Sequence, residues 1–226
     1  MDNCFLYNNC NHKNCDKFCP RHLKSAFLLE ASGLPKSKWT KTALVLDPDG
    51  TDLEAFKQLK DIESKIVSFV KNGVNLFIHS PISGNGKSSW AIRLLQTYVD
   101  KTWNSYDFQD CAVLFIDVPK FLNSLKLNIN GTDAYAPNIL AKVAKADLVV
   151  WDDIASSAGS NYDIDKLFSL INGRIENDKS NIFTSNLDTD AIRQALGARL
   201  ASRIGNGSIN IELNGADKRY LAVKSF

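Results

Sequence analysis

The sequence predicts an α/β fold, a mostly parallel sheet with helices on both faces. Three observations predict it. Four short apolar runs, Asn75–Ile78, Ala112–Ile116, Leu148–Trp151 and Asn181–Thr184, read as strands buried on both faces, since such strands are continuously apolar rather than alternating. Helix-like stretches at about 87–101, 119–126, 137–145, 163–177 and 188–203 separate or follow them. The first run also passes through a Gly-rich turn directly into a helical pattern. Parallel neighbours need a crossover connection, and a helix is the usual one.

The elements can be justified in chain order. Residues 1–24 are Cys-rich and punctuated by Pro20, and they read as a separate small segment. Residues 25–51 read as a linker or extended arm. It opens with the helix-like run Phe27, Leu28, Leu29, extends over Ser37 to Leu46, and closes in the turn-forming Asp47-Pro48-Asp49-Gly50. The main domain is expected over 52–226. It begins with Leu53, Phe56, Leu59, Ile62, Ile66, Phe69 and Val70 at three-to-four spacing, which is an amphipathic helix. It ends with two candidate strands, Ser208–Leu213 and Arg219–Val223, expected as a hairpin around Asn214-Gly215.

Composition narrows the possibilities. With 226 residues, 44% of them hydrophobic, the chain can bury one substantial core and carry a small appendage. No segment approaches the ~20 uninterrupted apolar residues of a membrane span. Met1 to His22 has no apolar signal-peptide core, so the expected location is the cytoplasm. A net charge of +2 announces no bulk attraction to nucleic acid, so any such contact must come from local patches.

The Gly-rich turn is Ile78-His79-Ser80-Pro81-Ile82-Ser83-Gly84-Asn85-Gly86-Lys87-Ser88. Strand before and helix after is the context of a phosphate-binding P-loop. Gly84 and Gly86 let the backbone curl so that N–H groups face phosphate oxygens, and the helix N-terminus adds its positive end. The candidate nucleotide contacts are Ser83, Gly84, Asn85, Gly86, Lys87, Ser88 and Ser89. Lys87 suits the β- and γ-phosphates and the Ser88 hydroxyl suits Mg²⁺. Pro81 stands where the G-x-x-x-x-G-K-[ST] pattern has its first glycine, which removes one N–H from the cradle.

The strand ending Trp151-Asp152-Asp153-Ile154 places two carboxylates at the edge of the sheet where open α/β folds bind ligands. Asp152 is the candidate Mg²⁺ ligand, directly or through water, and Asp153 the group that polarises an attacking water. At the end of the fourth strand, Thr184-Ser185-Asn186 puts Asn186 beside them, where it either orients that water or simply ends the strand in a turn. Arg199 and Arg203 lie four apart on one helical face, as phosphate ligands or as solvated surface.

Taken together, Gly84-Asn85-Gly86-Lys87-Ser88, Val150-Trp151-Asp152-Asp153-Ile154, Thr184-Ser185-Asn186 and Arg199-x-x-Ser202-Arg203-Ile204 resemble the AAA+ ATPases. Within them the set is most similar to the DnaC/DnaI-like replicative-helicase loaders, including versions carried by phages and plasmids. The resemblance covers about 52–226. It implies an AAA+ core without a C-terminal helical lid and an ATPase that binds ATP and Mg²⁺. Lys87 and Ser88 become the Walker A residues, Asp152 and Asp153 the Walker B pair, Asn186 sensor 1, and Arg203 an arginine finger for a neighbouring copy. It further implies a hexameric helicase and single-stranded DNA as partners, and a homo-oligomer. The IstB-like transposition ATPases share the same core. A nucleotide-gated adaptor that never turns ATP over is a third reading.

Cys4, Cys10, Cys15 and Cys19 hold four of the five cysteines within the first 19 residues. In a reducing compartment such a cluster reads as a Zn²⁺ site rather than as disulfides. His12 and His22 are alternative ligands. A segment this small cannot bury a core of its own, so metal binding would supply its folding free energy, roughly 10 kcal/mol or more. By resemblance it is a shortened version of the zinc domain with which DnaI-like loaders dock on the helicase. Lys13, Lys17, Arg21, His22 and Lys24 offer the alternative of phosphate contacts. For single-stranded DNA the main domain offers Lys120, Lys126, Lys142 and Lys145, with Tyr135 to stack on a base.

Overall fold

The computed structural model describes residues 4–6, 10, 18–41, 44, 46–47, 49–108, 110–127, 133–156 and 160–218. Each of the four apolar runs becomes a strand: β1 (Leu76–His79), β2 (Val113–Asp117), β3 (Leu148–Asp152) and β4 (Ser180–Ser185). With β5 (Ile209–Glu212) they form one sheet in the order β2-β3-β4-β1-β5, parallel at every junction. The register sets Phe77 opposite Phe183 and Asp117 opposite Asp152. The functional ends of the strands therefore line one edge of the sheet.

Helices cover both faces, which is why the strands can be apolar throughout. Because side chains alternate along a strand, Leu76, Ile78, Val113, Val150 and Ile182 enter one core. That core is closed by α1 (Pro20–Ala31), α2 (Leu53–Ser64), α3 (Ile66–Lys71) and α4 (Lys87–Thr102). Phe77, Leu114, Val149, Trp151 and Phe183 enter the other. It is closed by α5 (Val118–Leu127), α6 (Tyr135–Lys142), α7 (Asn161–Glu176), α8 (Thr189–Leu196) and α9 (Ala198–Ala201). At the sheet edge away from the functional ends, the fully buried Arg174 donates to the carbonyls of Val143, Ala146 and Ser180 and to Asn181. Burial lowers its guanidinium to about 9.

Several expectations about local structure are corrected. The amphipathic stretch from Leu53 to Val70 breaks at Lys65 into α2 and α3. The stretch 188–203 breaks at Gly197, whose φ of 83° no helix accommodates, and continues as α9 and a π-helical turn, Ser202–Asn206. Residues 208–213 supply β5, which pairs with β1 inside the main sheet. The second strand of the expected hairpin, 219–223, lies outside the described residues. Helix α1 begins at Pro20 and runs to Ala31 without a break, crossing position 24. Its Leu28 and Leu29 are buried in the first core, and Ser32 accepts from the Phe115 N–H at 2.8 Å. The arm is fastened to α4, where Gln96 donates to the Trp39 carbonyl at 3.0 Å and Lys41 pairs with Asp100 at 3.2 Å. Among the described residues, no helix is long and apolar enough to cross a membrane, and no helix follows β5.

Candidate nucleotide site

The turn between β1 and α4 is the candidate phosphate cradle. Gly84 and Gly86 hold φ of 78° and 113°, backbone that side-chain-bearing residues avoid, and Gly86 is the N-cap of α4. A Cβ placed on Gly86 would meet nothing within 4 Å, so the space above the loop is open to a ligand. Lys87 is buried in the fold of the loop, donating to the Ile82 carbonyl at 2.8 Å and lying 3.4 Å from the Asn85 side-chain oxygen. Ser88 follows Lys87 on the first turn of α4, while Ser83 and Ser89 are exposed on either side of it.

Ser80, directly before Pro81, braces the loop. Its hydroxyl accepts from the Ile82 N–H at 3.0 Å and from Asn85 Nδ2 at 2.6 Å, holding the loop closed. Asn85 in turn donates to the Leu213 carbonyl at 3.0 Å. Ser80 was invisible as a functional residue in the sequence; its position directly before the Pro was the available signal.

Facing the cradle, Asp152 ends β3. Burial pushes its carboxyl above the ordinary range, and repulsion from Asp153 and Asp117 adds to that; hydrogen bonds from Thr184 and Ser88 oppose it. The Asp152 carboxylate and the Ser88 hydroxyl are hard oxygen donors of the kind Mg²⁺ takes, and a divalent cation would relieve the repulsion. Asp153 sits in left-handed backbone at φ 59°, the kind of strain that clusters at functional turns. Asn186 Nδ2 lies 3.4 Å from Asp153 Oδ1. Lys87, Ser88, Asp152, Asp153 and Asn186 thus come from three adjacent strand ends, and the arrangement can bind a triphosphate, hold Mg²⁺ and polarise a water.

Two contributors had no signature in the sequence. Thr184 Oγ1 donates to Asp152 Oδ1 at 2.7 Å and accepts from the Asp153 N–H at 2.9 Å, so one hydroxyl fixes both acidic residues. Asp117 is brought in by register, as the partner of Asp152 on the next strand.

The other expected residues fall further out. The Arg199 guanidinium lies 4.2 Å from the Phe168 ring centre, a cation–π contact, whereas Arg203 is exposed in the π-helical turn. The Lys120 ammonium sits 4.5 Å over the ring of Tyr135, whose hydroxyl burial pushes up to about 12. Lys126 pairs with Asp163 at 3.1 Å. Lys142 and Lys145 lie at the opposite edge of the sheet, lining a cleft of about 910 Å³ with Phe27, Tyr106, Cys111 and Asp147. The expected DNA contacts therefore do not form one patch. Of the N-terminal cysteines, Cys4 Sγ lies 3.2 Å from His22 Nδ1, Cys10 faces Arg21 at 3.8 Å, and Cys19 precedes α1. Cys15 and His12 lie outside the described residues. A Cys and a His side by side fit two corners of a zinc site; among the described residues, no group of three or more His, Cys, Asp or Glu is gathered to hold a metal.

Comparison with known proteins agrees with this geometry. The model of the IstB-like ATP binding protein family matches residues 29–204. No curated protein sequence matches the chain. Among solved structures, the fold is shared with the DnaC helicase loader at 20% identity and a TM-score of 0.63, over 80% of this chain and 100% of that one. It is shared with DnaI at 18% identity and a TM-score of 0.62, over 79% and 94%. The replication initiator DnaA bound to AMPPCP and single-stranded DNA matches at 18% identity and a TM-score of 0.56, over 76% of this chain and 48% of that one.

Proposed function

Because the chain belongs to the IstB-like ATP binding protein family, and with it to the AAA+-type ATPases, we propose that it is an ATP-dependent replication factor. It binds a hexameric replicative helicase and loads or remodels it on single-stranded DNA in the cytoplasm. The observation that supports the nucleotide part is the contact of Ser88, next to Lys87 at the start of α4, with Asp152 at the end of β3, where Thr184 fixes the acidic pair. The loader part is supported by a fold shared with DnaC and DnaI over nearly their whole chains.

In this reading the N–H groups of Ser83 to Ser89 cradle the phosphates, and Lys87 contacts the β- and γ-phosphates. Ser88 and Asp152 hold Mg²⁺, which when bound neutralises charge on those oxygens. Asp153 accepts the proton of the attacking water and Asn186 orients it. Arg203 reaches the nucleotide of a neighbouring copy, so the active form is a homo-oligomer. Arg203 is exposed in the turn Ser202–Asn206, which leaves it open to a neighbouring copy. Residues 52–226 carry the ATPase site, α1 and the arm up to residue 51 pack against it, and the residues before α1 are a helicase-docking segment. Zn²⁺ is held there by Cys4, Cys10, Cys15 and Cys19, with His22 as the candidate replacement that the Cys4 contact supports.

Co-purification with a replicative helicase, with mass measured with and without ATP, tests the proposal. A stoichiometric, ATP-sensitive complex supports it. ATP-driven assembly on duplex DNA with no helicase complex would instead favour the transposition role, which the family match also accommodates. Tight ATP binding with no turnover in either setting would make the chain a nucleotide-gated adaptor.

A further inference from the structure

The catalytic carboxylates end β3, Asn186 follows β4, and the cradle follows β1. In the order β2-β3-β4-β1-β5, a nucleotide whose γ-phosphate faces Asp152 must run its other end away from β4. That direction leads to the flank of β1 occupied by β5 and the chain after it. Segment 213–218 lies there as a strap across the loop. The Leu213 N–H donates to the His79 carbonyl at 2.9 Å, Asn85 Nδ2 to the Leu213 carbonyl at 3.0 Å, and the Lys218 N–H to the Gly84 carbonyl at 3.0 Å.

The strap is also bound to the residues that lead into α2. The N–H groups of Asn214 and Gly215 donate to the two oxygens of Asp52 at 2.7 and 3.0 Å. A Cβ on Gly215 would fall 2.0 Å from an Asp47 oxygen and 2.5 Å from an Asp52 oxygen, so any other residue there would have to push both carboxylates aside. Lys218 Nζ pairs with Asp47 Oδ2 at 3.0 Å, with 22% and 9% of the two side chains exposed. A half-sheltered ammonium is therefore carried by a residue whose own backbone is bonded to the phosphate loop, on the side where the nucleoside end leaves.

We propose that Lys218 is a further nucleotide-contacting residue, its ammonium passing from Asp47 to the phosphates at the nucleoside end of a bound ATP or ADP. The inference rests on the nucleotide site described above. A flexible four-carbon stem lets the ammonium exchange one anion for another. Asp47 stores the charge near the loop until phosphate competes for it. The strap thus supplies a basic group to a core in which, among the described residues, no helix follows β5.

The test measures ATP and ADP affinity by titration calorimetry on the full chain, with turnover alongside, for the parent, Lys218→Ala, Lys218→Arg, Asp47→Asn and Lys87→Ala. Lys218→Ala should weaken ATP and ADP alike by about 10-fold or more, the range of a lost charged hydrogen bond, with the loss appearing in KM rather than kcat. Lys218→Arg should restore most of the affinity, and Asp47→Asn should bind at least as tightly as the parent, since it removes an anion that competes with phosphate. Parental affinity in Lys218→Ala overturns the inference. So does an equal loss in Asp47→Asn and Lys218→Ala, which would make the ion pair a fastening of the strap only. The Lys87→Ala arm separates the two levels. If Lys87→Ala loses affinity while Lys218→Ala does not, only this inference fails; if Lys87→Ala binds as the parent does, the nucleotide site itself is wrong.

Discussion

Replacing Thr184 with valine keeps the shape of the side chain and removes a single hydroxyl. That hydroxyl donates to Asp152 Oδ1 at 2.7 Å and accepts from the Asp153 N–H at 2.9 Å, in a position 1% exposed. The variant loses a hydrogen bond to a carboxylate, worth about 1.5–3 kcal/mol, and leaves a buried N–H without an acceptor, at about 1–3 kcal/mol. The two overlap, because part of the turn can relax toward water, so a total of about 3 kcal/mol is expected. For a chain of this length each kcal/mol lowers Tm by roughly 2–4 °C, giving a drop of roughly 6–12 °C. Thermal unfolding followed by circular dichroism, without nucleotide, reads this directly. Thr184→Ser, which keeps the hydroxyl, should lose only about 1 kcal/mol for its missing methyl. The Mg²⁺ concentration at half-maximal turnover should rise in the valine variant and stay near the parent in the serine variant. If valine and serine variants melt together and share the parental Mg²⁺ midpoint, Thr184 does not position the acidic pair.

Three other outcomes are expected. Arg203→Ala should reduce turnover by about 10³-fold under conditions where the protein assembles, whereas Arg199→Ala, which loses its stacking on Phe168, should mainly lower thermal stability; equal turnover in the two refutes the assignment. Gly215→Ala drives a Cβ against the Asp47 and Asp52 carboxylates and should cost about 1–3 kcal/mol in chemical denaturation. Glu63, held by Arg93, Lys60 and Thr97, titrates at about 2 in the fold against 4.5 outside it. Its contribution is therefore present in full above pH 4.5 and is lost as pH falls toward 2. Glu63→Gln should be less stable than the parent by about 1–3 kcal/mol at pH 7, allowing for its exposed Lys60 partner, and the gap should narrow below pH 4.5.

Much of the fold was legible because its strands announce themselves. Leu148-Val149-Val150-Trp151 and its three counterparts are apolar without alternation, and a sheet covered on both faces requires that. What failed was local punctuation and distant pairing. The apolar pattern continues straight across Gly197, so one helix was expected where the backbone turns. β5 alternates, with only Ile211 buried, which reads as a hairpin arm; its pairing with β1 joins residues more than 120 positions apart and leaves no local trace. The site divides in the same way. Gly84 to Ser88 and Asp152-Asp153 are contiguous motifs whose chemistry shows in their order. Thr184, Asp117 and Lys218 are brought near these motifs by strand register and a chain crossing, which only the fold reveals. Arg199 and Arg203 share a face at helical spacing in the sequence, but in the fold Arg199 stacks on the Phe168 ring and Arg203 lies in the π turn.

The account depends on Lys87 and the Asp152 carboxylate serving one magnesium-bound nucleotide. Equilibrium binding of ATP to the parent, Lys87→Ala and Asp152→Asn, each with and without Mg²⁺, addresses this directly. Lys87→Ala is expected to lose affinity in both conditions, by about 10-fold or more for a charged contact. Asp152→Asn is expected to bind as the parent does without Mg²⁺ and to lose the gain that Mg²⁺ confers. Parental affinity in Lys87→Ala, or an undiminished Mg²⁺ response in Asp152→Asn, would contradict the site.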